Sequence, residues 1–143
     1  MSSSKQSFTL LSSQAEELFA HARACEPEEC CGLIGGVGEE AKNIYPLRNT
    51  AANPLNAYEA AVEDLFEAQR LMREREQALL AIYHSHPRSS NPTPSETDIA
   101  LAYYPSAVYI IIGFDNDAPV LRAFRIYESE RRWEEINIRV IEN

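Results

Sequence analysis

The stretch that most constrains this chain is Leu79-Leu-Ala-Ile-Tyr-His-Ser-His86, an apolar run that ends on two histidines. Continuous apolar residues without a charge read as a strand buried on both faces, which places it centrally in a sheet. His84 and His86 stand two apart, so on a strand both imidazoles project to the same face. The chain holds three histidines in all, and only His21 lies elsewhere. A proline-rich loop follows, with Pro87, Pro92 and Pro94, and then a short helix is expected to begin at Ser95 and carry Asp98.

The remaining elements arrange themselves around that strand. Ser13-Gln-Ala-Glu16 fits a capping box, and Ala15, Leu18, Phe19 and Ala22 follow at helical spacing, which predicts a helix over about 13–25. Cys30 to Val37 reads as a buried strand whose glycines permit close backbone approach. Residues 41–48 read as a second strand, with Pro46 marking an edge or an end. Residues 49–56 form a loop of turn formers. A second helix is expected over about 59–77, with Leu65, Phe66, Gln69 and Met72 on its inner face. Three closing strands follow at 108–114, 119–127 and 132–141, the first two joined at Asp115-Asn-Asp-Ala118. The fold class is α/β in the broad sense: a mixed, largely antiparallel sheet flanked by helices. At 143 residues the chain is the size of one domain, expected to span 1–143 with about residues 1–8 as a flexible lead-in.

Charge and composition narrow the partners. A net charge of −9 disfavours nucleic acid, whose binding rests on Lys and Arg neutralising phosphates. No apolar run approaches the roughly 20 residues of a membrane span, so no membrane partner is expected. Met1 to Ser13 lacks the basic start and apolar core of a signal peptide, which makes the cytoplasm the expected location. Cys25, Cys30 and Cys31 are odd in number, and the last two are adjacent, which does not make a disulfide framework. On a strand Cys30 and Cys31 point to opposite faces, and nothing nearby in sequence lowers either thiol toward a catalytic thiolate.

The histidine pair carries the chemistry. Neutral imidazole suits zinc, copper, nickel and iron, and two from one strand make half a tetrahedral site. Asp98 is the third candidate, leaving a fourth position for water, as a catalytic rather than a structural zinc site requires. A plainer role exists for the aspartate, because Ser95-x-x-Asp98 approximates a capping box. Two histidines and a carboxylate also describe the facial triad of non-haem iron oxygenases.

His84-Ser-His-Pro87 together with Pro94-Ser95-x-x-Asp98 resembles the motif of the JAMM metalloproteases, also called JAB1/MPN/Mov34 or MPN-plus. That family also places a glutamate upstream in Glu-x-x-Gly at the mouth of a strand, which Glu29-Cys-Cys-Gly32 matches here. The link from Asn49 to Tyr58 is similar to that of small bacterial members, and the likeness spans roughly 10–140. One departure is that eleven residues, not the usual ten, separate His86 from Asp98. Because Pro94-Ser95-x-x-Asp98 is intact, the extra residue falls in the loop Arg88–Thr93, where one residue is absorbed cheaply. The resemblance implies a three-layer MPN/JAB fold similar to that of cytidine deaminases. It further implies one Zn2+ per chain held by His84, His86 and Asp98, with Glu29 as general base and Ser95 stabilising the oxyanion. Residue by residue, plainer readings stand beside these: Glu29 lies in the acidic run Glu26-Pro-Glu-Glu29, and Ser95 is a good N-cap. The implied reaction is hydrolysis of a peptide or isopeptide bond after the Gly-Gly tail of a ubiquitin-like sulfur-carrier protein. The competing readings are the iron oxygenase, a non-catalytic scaffold of the same fold, and a relative of the DNA-repair-associated RadC proteins. The last fits poorly with the acidic charge.

Overall fold

The computed structural model describes residues 7–143. Its centre is a seven-stranded sheet in the order β1-β7-β6-β5-β4-β2-β3. The strands are β1 (Ser7–Leu11), β2 (Cys31–Val37), β3 (Glu40–Leu47), β4 (Ala78–Ser85), β5 (Val108–Asp115), β6 (Ala118–Tyr127) and β7 (Arg132–Ile141). The helices are α1 (Ser12–Cys25), α2 (Val62–Glu74) and α3 (Glu96–Ala100). Pairing is parallel for β1 with β7 and for β4 with β5, and antiparallel elsewhere, so the sheet is mixed and largely antiparallel. Strand β4 is paired on both edges, as its unbroken apolar run demands.

Strand alternation divides the interior into two cores. Leu18, Ala22, Cys30, Ile34, Tyr83, Ile110 and Ile112 pack on the α1 face. Cys31, Leu33, Tyr45, Ala68, Met72, Ile82 and Ile111 pack on the α2 face. The adjacent cysteines therefore do part to opposite faces, and burial pushes both thiols up to about 12, where a thiolate is scarce at neutral pH. Glycine is needed at Gly32 and Gly113. A Cβ at Gly32 would fall 2.3 Å from the Tyr83 ring, and one at Gly113 would fall 2.3 Å from the Ser89 carbonyl. The second gap lets the loop after β4 fold flat onto β5, where Ser89 O accepts from Phe114 N.

Four expectations need correction. Residues 7 and 8, assigned to the lead-in, belong to β1; a five-residue strand with one alternating face leaves little periodic signal beside the helix that follows it. The rest of that lead-in, residues 1–6, lies outside the described residues. The Ser13–Glu16 capping box does not form: the helix starts one residue earlier, and the Gln14 side-chain oxygen accepts from Leu11 N instead. Ser13 instead meets Asn143, which its backbone N donates to and its Oγ accepts from. Helix α2 is shorter than 59–77, and its inner face is Leu65, Ala68 and Met72. Phe66 is 68% exposed and Gln69 also faces out, so the periodicity holds but its phase is shifted.

Candidate metal and catalytic site

The site forms where β4 ends. Ser85, between the histidines, points to the other face, where its Oγ accepts from Cys30 N at 2.8 Å. That bond fastens the histidine strand to the start of β2, directly beside Glu29. His86 lies one residue past β4 and stays in line because its N–H donates to Ile112 O on β5. Both imidazoles reach the same point: His84 Nε2 and His86 Nε2 lie 3.1 Å apart. Helix α3 delivers Asp98, whose Oδ2 lies 3.1 Å from each of those nitrogens.

Asp98 caps its helix with the same oxygen. Ser95 N donates to Asp98 Oδ2 and Asp98 N donates to Ser95 Oγ, a reciprocal box that closes the first turn. The capping role and the site role are therefore compatible, since the cap is what aims the carboxylate. Burial alone would push Asp98 upward, but His84, His86 and the Ser95 N–H outweigh it and hold the carboxyl well below its usual range.

Three donor atoms in an equilateral triangle of 3.1 Å edge are a strong fit to a small cation. Zinc at about 2.0–2.1 Å from each ligand in a tetrahedral set spaces the donors about 3.3 Å apart. A second grouping shares the histidines: a Glu29 carboxylate oxygen lies with the two imidazoles inside 4.8 Å. Asp98 makes the tighter set, and Glu29 stands further back.

Glu29 is only 6% exposed, and its Oε1 is buried without a hydrogen-bond partner among the described residues. A buried, unpartnered carboxylate oxygen is costly unless something polar is meant to meet it. Burial raises the group; His86 opposes, Asp98 adds and Arg88 opposes, which leaves it at about 7. Glu28, one residue earlier, is exposed.

Three residues with roles at the site carried no readable signal of their own. Ser85 is hidden by alternation inside His-Ser-His. Asn49 looks like an ordinary turn former, yet its side-chain amide makes four bonds at 3.0 Å: it donates to Glu29 O and Ala57 O, and accepts from Ala51 N and Glu59 N. Tyr58, in the same link, stacks on His84 with ring centroids 4.6 Å apart. Beside Tyr58 a groove of about 640 Å3 runs along the α2 face, lined by Cys31, Leu33, Leu47, Leu101 and Tyr109 among others.

The family profile described as prokaryotic homologs of the JAB domain matches residues 11–127. Among curated proteins, the chain is 36% identical to a probable TtuB-protein conjugate cleaving protease of Thermus thermophilus over 115 residues, covering 80% of this chain and 73% of the relative. It is 33% identical to the desampylase of Haloferax volcanii, covering 81% and 86%. It is 29% identical to the CysO-cysteine peptidase of Mycobacterium tuberculosis, covering 85% and 84%. Among solved structures, a protein from Desulfitobacterium hafniense superimposes with a TM-score of 0.82 at 33% identity, covering 95% and 94% of the two chains. A JAB1/MPN domain protein from Archaeoglobus fulgidus shares the fold at a TM-score of 0.57 and 19% identity, covering 89% and 93%.

Proposed function

This chain belongs to the prokaryotic JAB (JAMM/MPN) family, and from that premise we propose a zinc-dependent peptidase that cuts after the Gly-Gly tail of a ubiquitin-like sulfur-carrier protein. The observation that carries the reading is the 3.1 Å triangle of His84 Nε2, His86 Nε2 and Asp98 Oδ2. Those three residues would hold the ion. When bound, zinc supplies Lewis acidity and makes a water easier to deprotonate near neutral pH.

The protein's own groups do the rest. Glu29 takes a proton from water and returns it to the leaving amine, a task that suits a carboxyl near 7 because both protonation states are accessible. Ser95 Oγ already accepts from Asp98 N, so its O–H is free to donate toward the oxygen that gains charge. A tail of two glycines has no side chains and can lie extended in a narrow groove beside the sheet. Relatives named for cleaving TtuB conjugates and the CysO–cysteine bond support this substrate class. An open sheet with helices on both faces does not favour an iron oxygenase, which usually sits in an all-β barrel and would leave Glu29 without a task. A scaffold role leaves the ligand triangle without a purpose. No helix among the described residues is long and apolar enough to cross a membrane.

The test pairs elemental analysis with cleavage of Gly-Gly-tailed carrier fusions. Protein prepared with zinc available should carry about one ion per chain and release the carrier. His84→Ala, His86→Ala and Asp98→Ala should each lose the ion, since a three-ligand site cannot spare one. Wild-type protein that binds no stoichiometric zinc ends the reading. Asp98→Ala with full zinc affinity would return that residue to capping alone.

A further inference from the structure

We propose that Tyr58 is a positioning residue for His84, acting through its ring, and that Asn49 is the anchor that sets Tyr58 relative to Glu29. The proposal rests on the reading of His84 as a metal ligand.

His84 is fully buried and aims Nε2 at His86 and Asp98. Its other nitrogen, Nδ1, is buried with no hydrogen-bond partner among the described residues. A ligating histidine is ordinarily oriented by that second nitrogen, which donates to a carboxylate or a carbonyl. Without such a bond, rotation about Cβ–Cγ is governed by a broad torsional well. The ring therefore needs another restraint. Tyr58 provides one: the two rings are stacked, 25° from parallel, with centroids 4.6 Å apart. Turning the imidazole would drive its edge into the tyrosine face, so the flat contact opposes the motion that the missing bond would have opposed.

Tyr58 sits in the link between β3 and α2, which one antiparallel bridge, Asn49 with Ala60, closes at its base. The Asn49 side chain holds the part of the link beyond that bridge. Its Nδ2 and Oδ1 hold Ala57 O and Glu59 N, the residues on either side of Tyr58. Nδ2 also donates to Glu29 O, so one amide ties the stacking ring to the backbone of the base. Two carbonyls on one side and two N–H groups on the other permit a single orientation of that amide and exhaust its capacity. Thr50 N to Glu59 O and Ala61 N to Arg48 O brace the same link. The Tyr58 hydroxyl makes no hydrogen bond among the described residues, which leaves the ring face as the working part.

The experiment measures Zn2+ affinity of the full chain by competition with a chromophoric chelator, and the visible absorption of the Co2+-loaded protein. Tyr58→Phe should bind within about twofold of wild type and keep the cobalt spectrum. Tyr58→Leu should bind about 10- to 100-fold more weakly, the usual loss when a ligand's supporting partner is removed, with altered cobalt bands. Asn49→Ala, which keeps the tyrosine but releases the backbone on either side of it, should lose affinity in the same direction. Asn49→Ala combined with Tyr58→Leu should bind no more weakly than Tyr58→Leu alone, because both act on one restraint. Wild-type affinity and spectrum in Tyr58→Leu overturn the proposal. So does a loss in Tyr58→Phe equal to that in Tyr58→Leu, which would assign the effect to the hydroxyl. Wild-type protein without metal affinity would sink the metalloprotease reading along with it, a result separate from the other two.

Discussion

Glu28 and Glu29 carry the same side chain one residue apart, and burial alone separates them. Glu28 faces solvent, while Glu29 is enclosed beside the histidines, one of its oxygens without a hydrogen-bond partner among the described residues. Glu29→Gln keeps the size and loses the proton acceptor, so cleavage should fall by about two orders of magnitude or more while zinc content stays near wild type. Glu28→Gln should keep its activity. Equal rates in the two variants, measured side by side, would remove Glu29 from the chemistry. His21 offers a second residue-scale expectation, on stability. Burial lowers its pKa, and its Nδ1 lies 2.7 Å from the Tyr83 hydroxyl. A histidine depressed in the folded state gives stability that is present above its unfolded value and lost as pH falls below about 6.5. Urea unfolding of wild type and His21→Gln should therefore diverge between pH 7.5 and pH 5, with wild type losing more. Parallel pH curves would show that His21 is not the titrating group.

Elements differ in how plainly the sequence announces them, and two glycines, one in a strand and one in a turn, show what each one guards. Gly113→Ala would press a methyl against the Ser89 carbonyl, so the loop that follows His86 must lift from β5. A loss of about 1–3 kcal/mol is expected, together with weaker zinc binding. Gly38 turns β2 into β3 with φ near 61° and open space around it. Gly38→Ala should cost about 1–2 kcal/mol through its backbone alone and leave zinc affinity intact. Thermal melts beside metal titrations distinguish the two, and equal metal loss in both would refute the local argument. Strands β4 to β7 were legible because long apolar runs and a turn at Asn116-Asp117 constrain them from within. Both of those turn residues adopt positive φ, as a tight hairpin requires. The phase of α2 was not legible: Phe66 and Leu65 are equally apolar, and only the sheet beneath decides which of them turns inward. Likewise β1 is defined by its partner rather than by its own residues. At the candidate site, His84, His86 and Asp98 could be read from spacing, whereas Asn49 reaches a backbone carbonyl 20 residues away, Glu29 O, a contact that no local pattern encodes.

At the scale of the whole molecule, two sheet edges have different owners. Strand β3 closes one edge with Pro46, whose missing donor suits an edge position. The other edge is β1, and its one partner among the described strands is β7, register Ser7 with Asn137 through Leu11 with Ile141. Removing residues 132–143 should therefore free β1 as well as β7 and expose the apolar side of β6. The shortened chain should bind a hydrophobic dye and show no cooperative melt. A cooperative melt with zinc bound would mean that the site-bearing strands stand without that edge.

The same pairing bears on how the protein is made. Residues 7–11 are among the first of the described chain to leave the ribosome, and their partners at 137–141 are among the last. Helix α1 follows β1 without a spacer, yet its Leu18 and Ala22 pack with Cys30, Ile34 and Tyr83, residues made long before β7. The wait therefore falls on the strand and not on the helix. A nascent chain of this protein must travel through most of its synthesis with the backbone of its first strand unclaimed.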